Sequence, residues 1–313
     1  MSRLLVHNPG FLTTVQDAGR PGQAHLGISA SGAADGVALR IGNWLVGNAE
    51  NAAALEMTLV GGTFEFDAEV IVSLTGSSFE AAVEGISLEP WRAYHLKAGS
   101  TLKVGPTHSG ARCYLCVRGG FDVPKFLGSA STHLFTGLGG YEGRPLKKGD
   151  ELVIGTNTRT EPVNRAVSFD FIRRLYASEP LRVTWGPQRD FFPEEAQKLF
   201  LSSKFHVLEN SNRMGLRLHG PVIQRRSSEM ITEGTPLGAI QIPQDGQPII
   251  LFVEHQTTGG YPKIANVIAA DIHRVGQLRP RDKVQFALVT FEQARRIHLD
   301  QEAALRKHLE DLR

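Results

Sequence analysis

Any chemistry in this chain of 313 residues has to come from three polar segments interrupted by glycines. The first is Thr13-Thr14-Val15-Gln16-Asp17-Ala18-Gly19-Arg20. It sets hydroxyls, the Gln16 amide, the Asp17 carboxylate and the Arg20 guanidinium in one turn-like stretch. A guanidinium so placed can hold a carboxylate or phosphate through paired hydrogen bonds, with Asp17 fixing its orientation. A plain Asp–Arg pair closing a loop has the same sequence. The second segment comprises Gly119-Gly120, Leu127-Gly128-Ser129-Ala130-Ser131-Thr132 and Gly137-Leu138-Gly139-Gly140-Tyr141-Glu142-Gly143-Arg144. Successive glycines let backbone N–H groups converge on an anion. Ser129 and Ser131 would add donors and Arg144 a charge, although an ordinary loop reads the same way. The third is Gln256-Thr257-Thr258-Gly259-Gly260-Tyr261-Pro262-Lys263, after the apolar run Pro248 to Val253. Polar groups on a loop at a strand end are where sites usually form. Tyr261 and Lys263 could exchange protons with a carbonyl oxygen or amide nitrogen, and Lys263 could equally be a surface charge. Arg213 and Arg217, Glu233 and Gln241 are further candidates.

Other chemistry is missing from the sequence. No G-x-x-x-x-G-K-[ST] or G-x-S-x-G string occurs, and no Gly-x-Gly start has the spacing of a dinucleotide fold. Cys113 and Cys116 are the only cysteines, so there is no disulfide framework. Three residues apart on a strand they face opposite ways, which reads as two core thiols rather than a metal pair. The histidines form no ligand-spaced set, so no metal site is expected. There is no Met-Lys dipeptide, so no biotin is expected on this chain.

The elements that must position these segments are mostly strands. Glycine contributes 33 residues, about 11% of the chain against a usual value near 7%. Glycine weakens helices and suits tight turns, so a helical bundle is disfavoured. Short apolar or alternating runs end at glycines: Phe64 to Asp67, Val70 to Leu74, Thr101 to Val104, Arg112 to Val117 and Glu151 to Ile154. Such a series suggests sandwiches or barrels. Helices are predicted at Asp35 to Val46, Arg165 to Ser178, Pro193 to Leu201 and Phe291 to Leu312. The polar stretch Gly155 to Arg165 marks a boundary between domains at 1–165 and 166–313. Across it, Gly119-Gly120 echoes Gly259-Gly260, and Leu146 to Leu152 echoes Leu278 to Val284. With 34 Lys+Arg against 32 Asp+Glu the net charge is +2, too balanced to indicate nucleic acid or membrane as a partner. Met1 to Gly10 lacks a basic-then-apolar leader pattern, and a cytoplasmic location is expected.

Several stretches together resemble one family, the allophanate hydrolase subunit 2-like or biotin-dependent carboxyltransferase-like proteins. They are Thr13 to Arg20, Ser31 to Asn48 (SGAADGVALRIGNWLVGN), Ala54-Leu55-Glu56, Tyr114 to Ser131, Gly143 to Asp150, Asn212 to Gly220, Gly238 to Pro243 and Gln256 to Gln277. The string QTTGGYPKIA is long and specific. Glu254 stands where the family pattern has Asp, Arg281 replaces the glycine of a Pro-Gly-Asp turn, and Gly42 stands where Ala is common.

The resemblance implies a mainly β chain with a few helices, built as two cyclophilin-like β-barrel domains. Family members include the C subunit of a bacterial ATP-dependent 5-oxoprolinase, and this role is ranked first because no hydrolase or biotin domain is fused here. It implies ATP, with Mg²⁺, bound by this chain or jointly with a partner. It also implies complexes with the kinase-inhibitor-like B subunit of 5-oxoprolinase, completed by the A subunit. Under that reading Arg20 or Arg144 meets a carboxylate or phosphate, Tyr261 and Lys263 the lactam oxygen, and Glu233 or Glu254 carries protons. Gln16, Asp17, Ser129, Ser131, Arg213, Gln241, Gln256, Thr257, Thr258, Gly259 and Gly260 complete the candidate binding set. The alternatives are a carboxyltransferase taking carboxybiotin from a partner to urea or a related amide, and a non-catalytic antagonist of a kinase-inhibitor protein.

Overall fold

The structure is a computed structural model that describes residues 2–156, 165–177, 180–226 and 230–311. The chain divides into two compact units, residues 1–20, 31–172 and 309–313 in one and 21–30 and 173–308 in the other. Most of the expected boundary stretch, residues 157–164, lies outside the described residues, as do Ser178 and Leu312. The fold is mainly β, with one sheet curled into a half-barrel and the other into a nearly closed barrel. Among the described residues no helix is long and apolar enough to cross a membrane.

The first unit is a nine-stranded sheet. Alternation in the sequence becomes alternation in burial: Leu4 and Val6 point into the core from strand Arg3–Asn8, and Phe64 and Phe66 from Thr63–Phe66. The runs Thr101 to Val104 and Arg112 to Val117, expected as separate strands, belong to one strand, Thr101–Val117. Its first part pairs with Thr63–Phe66, its last part with Ala54–Thr58, and both parts with the long strand Val70–Val83. Register shifts between Gly76 and Ala81 bend this pair. The bend, with Gly110 at φ +68°, is why the sequence reads as a break.

Helix Gly36–Leu45 starts where Asp35 accepts a hydrogen bond from the Ala38 N–H at 2.9 Å, and left-handed Gly47 follows its end. Ala38, Leu39, Ile41, Trp44 and Leu45 are buried, while Val37 is only half-buried. Gly42 has a packing reason. A Cβ there would sit 2.7 Å from both Cys116 Sγ and Thr75 Oγ1. Its absence lets Ser73 and Thr75 donate to the Gly42 and Ala38 carbonyls at 2.9 and 2.8 Å. Both cysteines are buried free thiols; burial pushes Cys113 up to about 12 and Cys116 further.

The second unit is an eight-stranded sheet. In order across the sheet its strands are Lys283–Val284, Phe205–Val207, Gly215–His219, Ile249–Leu251, Ala239–Gln241, Lys263–Val267, Leu181–Trp185 and Phe286–Leu288. The last pair is parallel. Phe200 on helix Glu194–Ser202 stacks on Phe286 with ring centroids 4.6 Å apart. Helix Phe169–Tyr176 forms inside the stretch expected from Arg165 to Ser178, with Arg165 to Ser168 outside it, and the tail helix Phe291–Asp311 forms where the apolar spacing predicts it. The tail helix exposes much of its surface but buries Leu305 and Leu309, one turn apart. A separate two-stranded ribbon joins Glu233–Gly234 to Thr258–Gly259.

Candidate functional site

In the first unit the candidate residues Gln16, Asp17, Arg20, Ser129 and Ser131 come together. Strand Leu12–Gln16 delivers Asp17 to a buried position against loop 126–132. The Asp17 carboxylate accepts from Ser129 Oγ and Ser131 Oγ at 2.6 Å and from the Ala130 and Gly19 N–H groups at 2.7 Å. The serine hydroxyls are therefore spent on Asp17 and do not extend a ligand nest. Arg20 is buried over the Phe126 ring and donates to the carbonyls of Phe126 and Ser131. Gln16 donates to Thr14 Oγ1 and the Thr132 carbonyl at 3.0 and 3.1 Å. This cluster braces the loop, with Arg20 held against the chain's own carbonyls.

Arg144 is likewise engaged by the chain's own groups. It clamps Asp150 with two hydrogen bonds of 2.7 and 3.0 Å, pairs with Glu142 at 2.6 Å and lies over Tyr141. The glycine loop is also closed on itself. Gly119 N–H donates to Asn48 Oδ1, and those of Gly120, Gly137 and Gly143 to the carbonyls of Val117, His133 and Gly139. A Cβ at Gly139, Gly140 or Gly143 would collide with Ser131, Thr132 or Gly137. These glycines permit close backbone approach, and the N–H groups of Gly119, Gly120, Gly137 and Gly143 are taken up by the chain itself. Among the described residues no group of three or more His, Cys, Asp or Glu side chains could hold a metal ion.

The second unit gathers most of the remaining candidates. Strand Lys263–Val267 starts with Lys263, whose side chain is 2% exposed and forms an ion pair with Glu233, 43% exposed on the ribbon. The Lys263 ammonium holds the Glu233 carboxyl below its ordinary range, against a smaller opposing effect of burial. Gln188, which has no counterpart among the residues expected from sequence, bridges the two: its Nε2 donates to Glu233 at 2.5 Å and its Oε1 accepts from the Lys263 N–H at 3.2 Å. The turn carrying Gln188 lies directly on the strand because Gly186 has no Cβ to collide with the Lys263 carbonyl. The signal was available, since Gly186-Pro187-Gln188 is also a polar group on a turn at a strand end.

Gln241 is the cross-strand partner of Lys263. It accepts from Gln256 Nε2 at 3.3 Å and donates to the Tyr261 carbonyl at 3.4 Å. Thr235, also missed, donates through its hydroxyl to the Gln256 carbonyl and through its N–H to the Thr257 carbonyl. Thr258 and Gly259 pair with Gly234 and Glu233, while Tyr261 is 46% exposed. His255 lies within 2.7 Å of the Gln256 carbonyl through Nδ1, and burial lowers its pKa. The arrangement offers one sheltered cation, one carboxylate and side-chain amides to a small polar molecule.

Arg213 and Glu254 are placed differently. They form a buried ion pair with each other at 2.5 Å, reinforced by a 2.9 Å backbone hydrogen bond between the same residues. Each offsets the other's charge inside the unit. Arg217 is exposed on strand Gly215–His219.

Comparison with known proteins places the chain in a family. The chain is 40% identical over 302 residues to the 5-oxoprolinase C subunit of Escherichia coli (strain K12), covering 96% of this chain and 95% of that protein. It is 35% identical to the urea amidolyase of Saccharomyces cerevisiae over 95% of this chain but 17% of that protein. The crystal structure of the K. lactis urea amidolyase superposes with a TM-score of 0.90 at 32% identity, covering 98% of this chain and 20% of that one. Residues 26–288 match the family model described as carboxyltransferase domain, subdomain A and B. With most of its length inside that match, the chain belongs to the carboxyltransferase domain, subdomain A and B, family.

Proposed function

We propose that this chain is the C subunit of an ATP-dependent 5-oxoprolinase. In that role it works with the A and B subunits in the cytoplasm to convert 5-oxo-L-proline, ATP and water into L-glutamate, ADP and phosphate. The observation that carries this reading is the end-to-end likeness to a protein of that name, 95% of whose length is covered. The Lys263 cluster supports it, because a small lactam bearing a carboxylate needs one cation and several neutral hydrogen-bonding groups. Lys263 supplies the charge. Tyr261, Gln241 and Gln256 supply the neutral contacts, beside the backbone of Gly259 and Gly260. The lactam is a stable amide, so ring opening requires activation of its oxygen, which ATP provides by phosphorylation. The nucleotide with its Mg²⁺ binds in the assembled complex, on this chain or jointly with a partner.

A second reading is transfer of a carboxyl group from a partner's carboxybiotin to urea or a related amide. The TM-score of 0.90 to a urea amidolyase supports it. Co-purification with the adjacently encoded proteins, followed by an assay of glutamate release from 5-oxo-L-proline and ATP, separates the readings. Release establishes the first. An assembled complex without release rejects it, and turnover of carboxybiotin then establishes the second. A tight complex with neither activity would leave the antagonist role. Tyr261→Phe and Lys263→Ala complexes with full ATP-coupled turnover would remove those residues from the mechanism.

A further inference from the structure

The donors and the acceptor around Lys263 are built to different standards. One donor sits on the main sheet of the second unit and the other on a turn at the end of a neighbouring strand. Lys263 opens a central strand and is 2% exposed. Gln188 follows the neighbouring strand Leu181–Trp185, and its amide is oriented by the Lys263 N–H. Their nitrogens converge on a single oxygen, Glu233 Oε1. The acceptor, by contrast, belongs to the ribbon outside that sheet, on an exposed segment that includes Ile231, Thr232 and Gly234. Two donors fixed in place around one carboxylate oxygen amount to a carboxylate receptor.

We propose that Lys263 and Gln188 form a carboxylate-binding slot that Glu233 fills in the free protein, and that a small carboxylate ligand binds by taking the place of Glu233. Naming that ligand as 5-oxo-L-proline rests on the functional reading above; the slot itself does not. A buried ammonium left without a counter-ion is strongly destabilised, so Glu233 leaves only in exchange for another anion. The exchange conserves charge at Lys263, whereas a neutral ligand cannot make it. Glu233 is 43% exposed and regains water when displaced, so its departure costs little. Gln241, the cross-strand partner of Lys263, and the Gln256 amide that it contacts then lie beside the uncharged part of the ligand. As a tethered competitor Glu233 acts at an effective concentration in the millimolar range or above, which weakens apparent affinity for the ligand.

Calorimetric titration of the full chain tests this, comparing wild type with Glu233→Gln and using 5-oxo-L-proline, acetate and the neutral lactam 2-pyrrolidinone as probes. The expected result is carboxylate binding about tenfold tighter in Glu233→Gln, with 2-pyrrolidinone unchanged. Adding Gln188→Leu to that variant should remove most of the gain, and this second substitution keeps the Lys263 ammonium while removing the amide that its backbone N–H orients. The proposal is overturned if Glu233→Gln gains affinity for neither carboxylate, or gains as much for 2-pyrrolidinone. A gain for acetate without one for 5-oxo-L-proline supports the slot and counts against the functional reading. A gain for both carboxylates with no glutamate release from the assembled complex again supports the slot and rejects only that reading.

Discussion

Lys263 and Glu233 share an ion pair but not an environment, the lysine being 2% exposed and the glutamate 43%. The pair stabilises the unit only while Glu233 is ionised. Its folded pKa lies below the ordinary glutamate value of 4.5, chiefly through the hydrogen bond from Lys263. A depressed carboxylate contributes stability above its unfolded pKa and loses it as pH falls through the folded value. The difference in melting temperature between wild type and Glu233→Gln should therefore be largest above about pH 5 and shrink below about pH 4. A difference that stays constant on acidification would mean that the ion pair contributes nothing to stability.

Arg213 and Glu254 should behave as one unit. Removing either partner leaves the other charge buried, at a cost of about 3–5 kcal/mol. Arg213→Met and Glu254→Leu singly should each lower the denaturation midpoint strongly, while the double variant recovers much of the loss. Additive losses in the double-mutant cycle would show that the pair is not the source.

Arg281 stands in a turn built like the one at Gly149. In both, a backbone N–H three residues before an aspartate bonds its carboxylate: Lys147 to Asp150 at 2.7 Å and Arg279 to Asp282 at 2.8 Å. The residue before each aspartate is left-handed, Gly149 at φ +90° and Arg281 at φ +74°. A side chain in that region costs about 1–2 kcal/mol. Arg281→Gly should accordingly raise stability by about 1 kcal/mol, since the exposed pair with Glu209 is worth little. Gly149→Ala should lower stability by a similar amount, and as its Cβ would meet nothing within 4 Å, the loss would report φ alone.

Gly259 and Gly260 are adjacent but not equivalent. A Cβ at Gly259 would sit 2.9 Å from Gln241 Nε2 and 3.4 Å from Gln256 Nε2, whereas at Gly260 its nearest neighbour is Thr232 Oγ1 at 3.5 Å. Gly259→Ala should reduce turnover of the assembled complex about tenfold or more by displacing the glutamine pair, with melting changed little. Gly260→Ala should be nearly silent in both, and Gly260→Val should cost activity more than stability. Equal effects of the two alanine substitutions on turnover would contradict the assignment.

What the sequence determined by itself was local. Alternating runs such as Phe64 to Asp67 announced strands, because burial on one face of a pleat demands a period of two. Asp35 and Gly47 announced the ends of the first helix, because capping needs a side-chain acceptor at one end and a left-handed residue at the other. The family pattern was also readable, since strings such as QTTGGYPKIA are specific. The letters could not say which polar groups meet. Asp17, Ser129 and Ser131 look like ligand donors until the fold turns them on one another. The two glycine pairs look alike, yet Gly119 and Gly120 are left-handed and Gly259 and Gly260 are not. Gln188 meets Lys263 and Glu233 across sequence separations of 75 and 45 residues. A hydrogen bond depends on distance and direction in space, so only the tertiary structure decided which carboxylates are spent as braces and which lies exposed over a buried lysine.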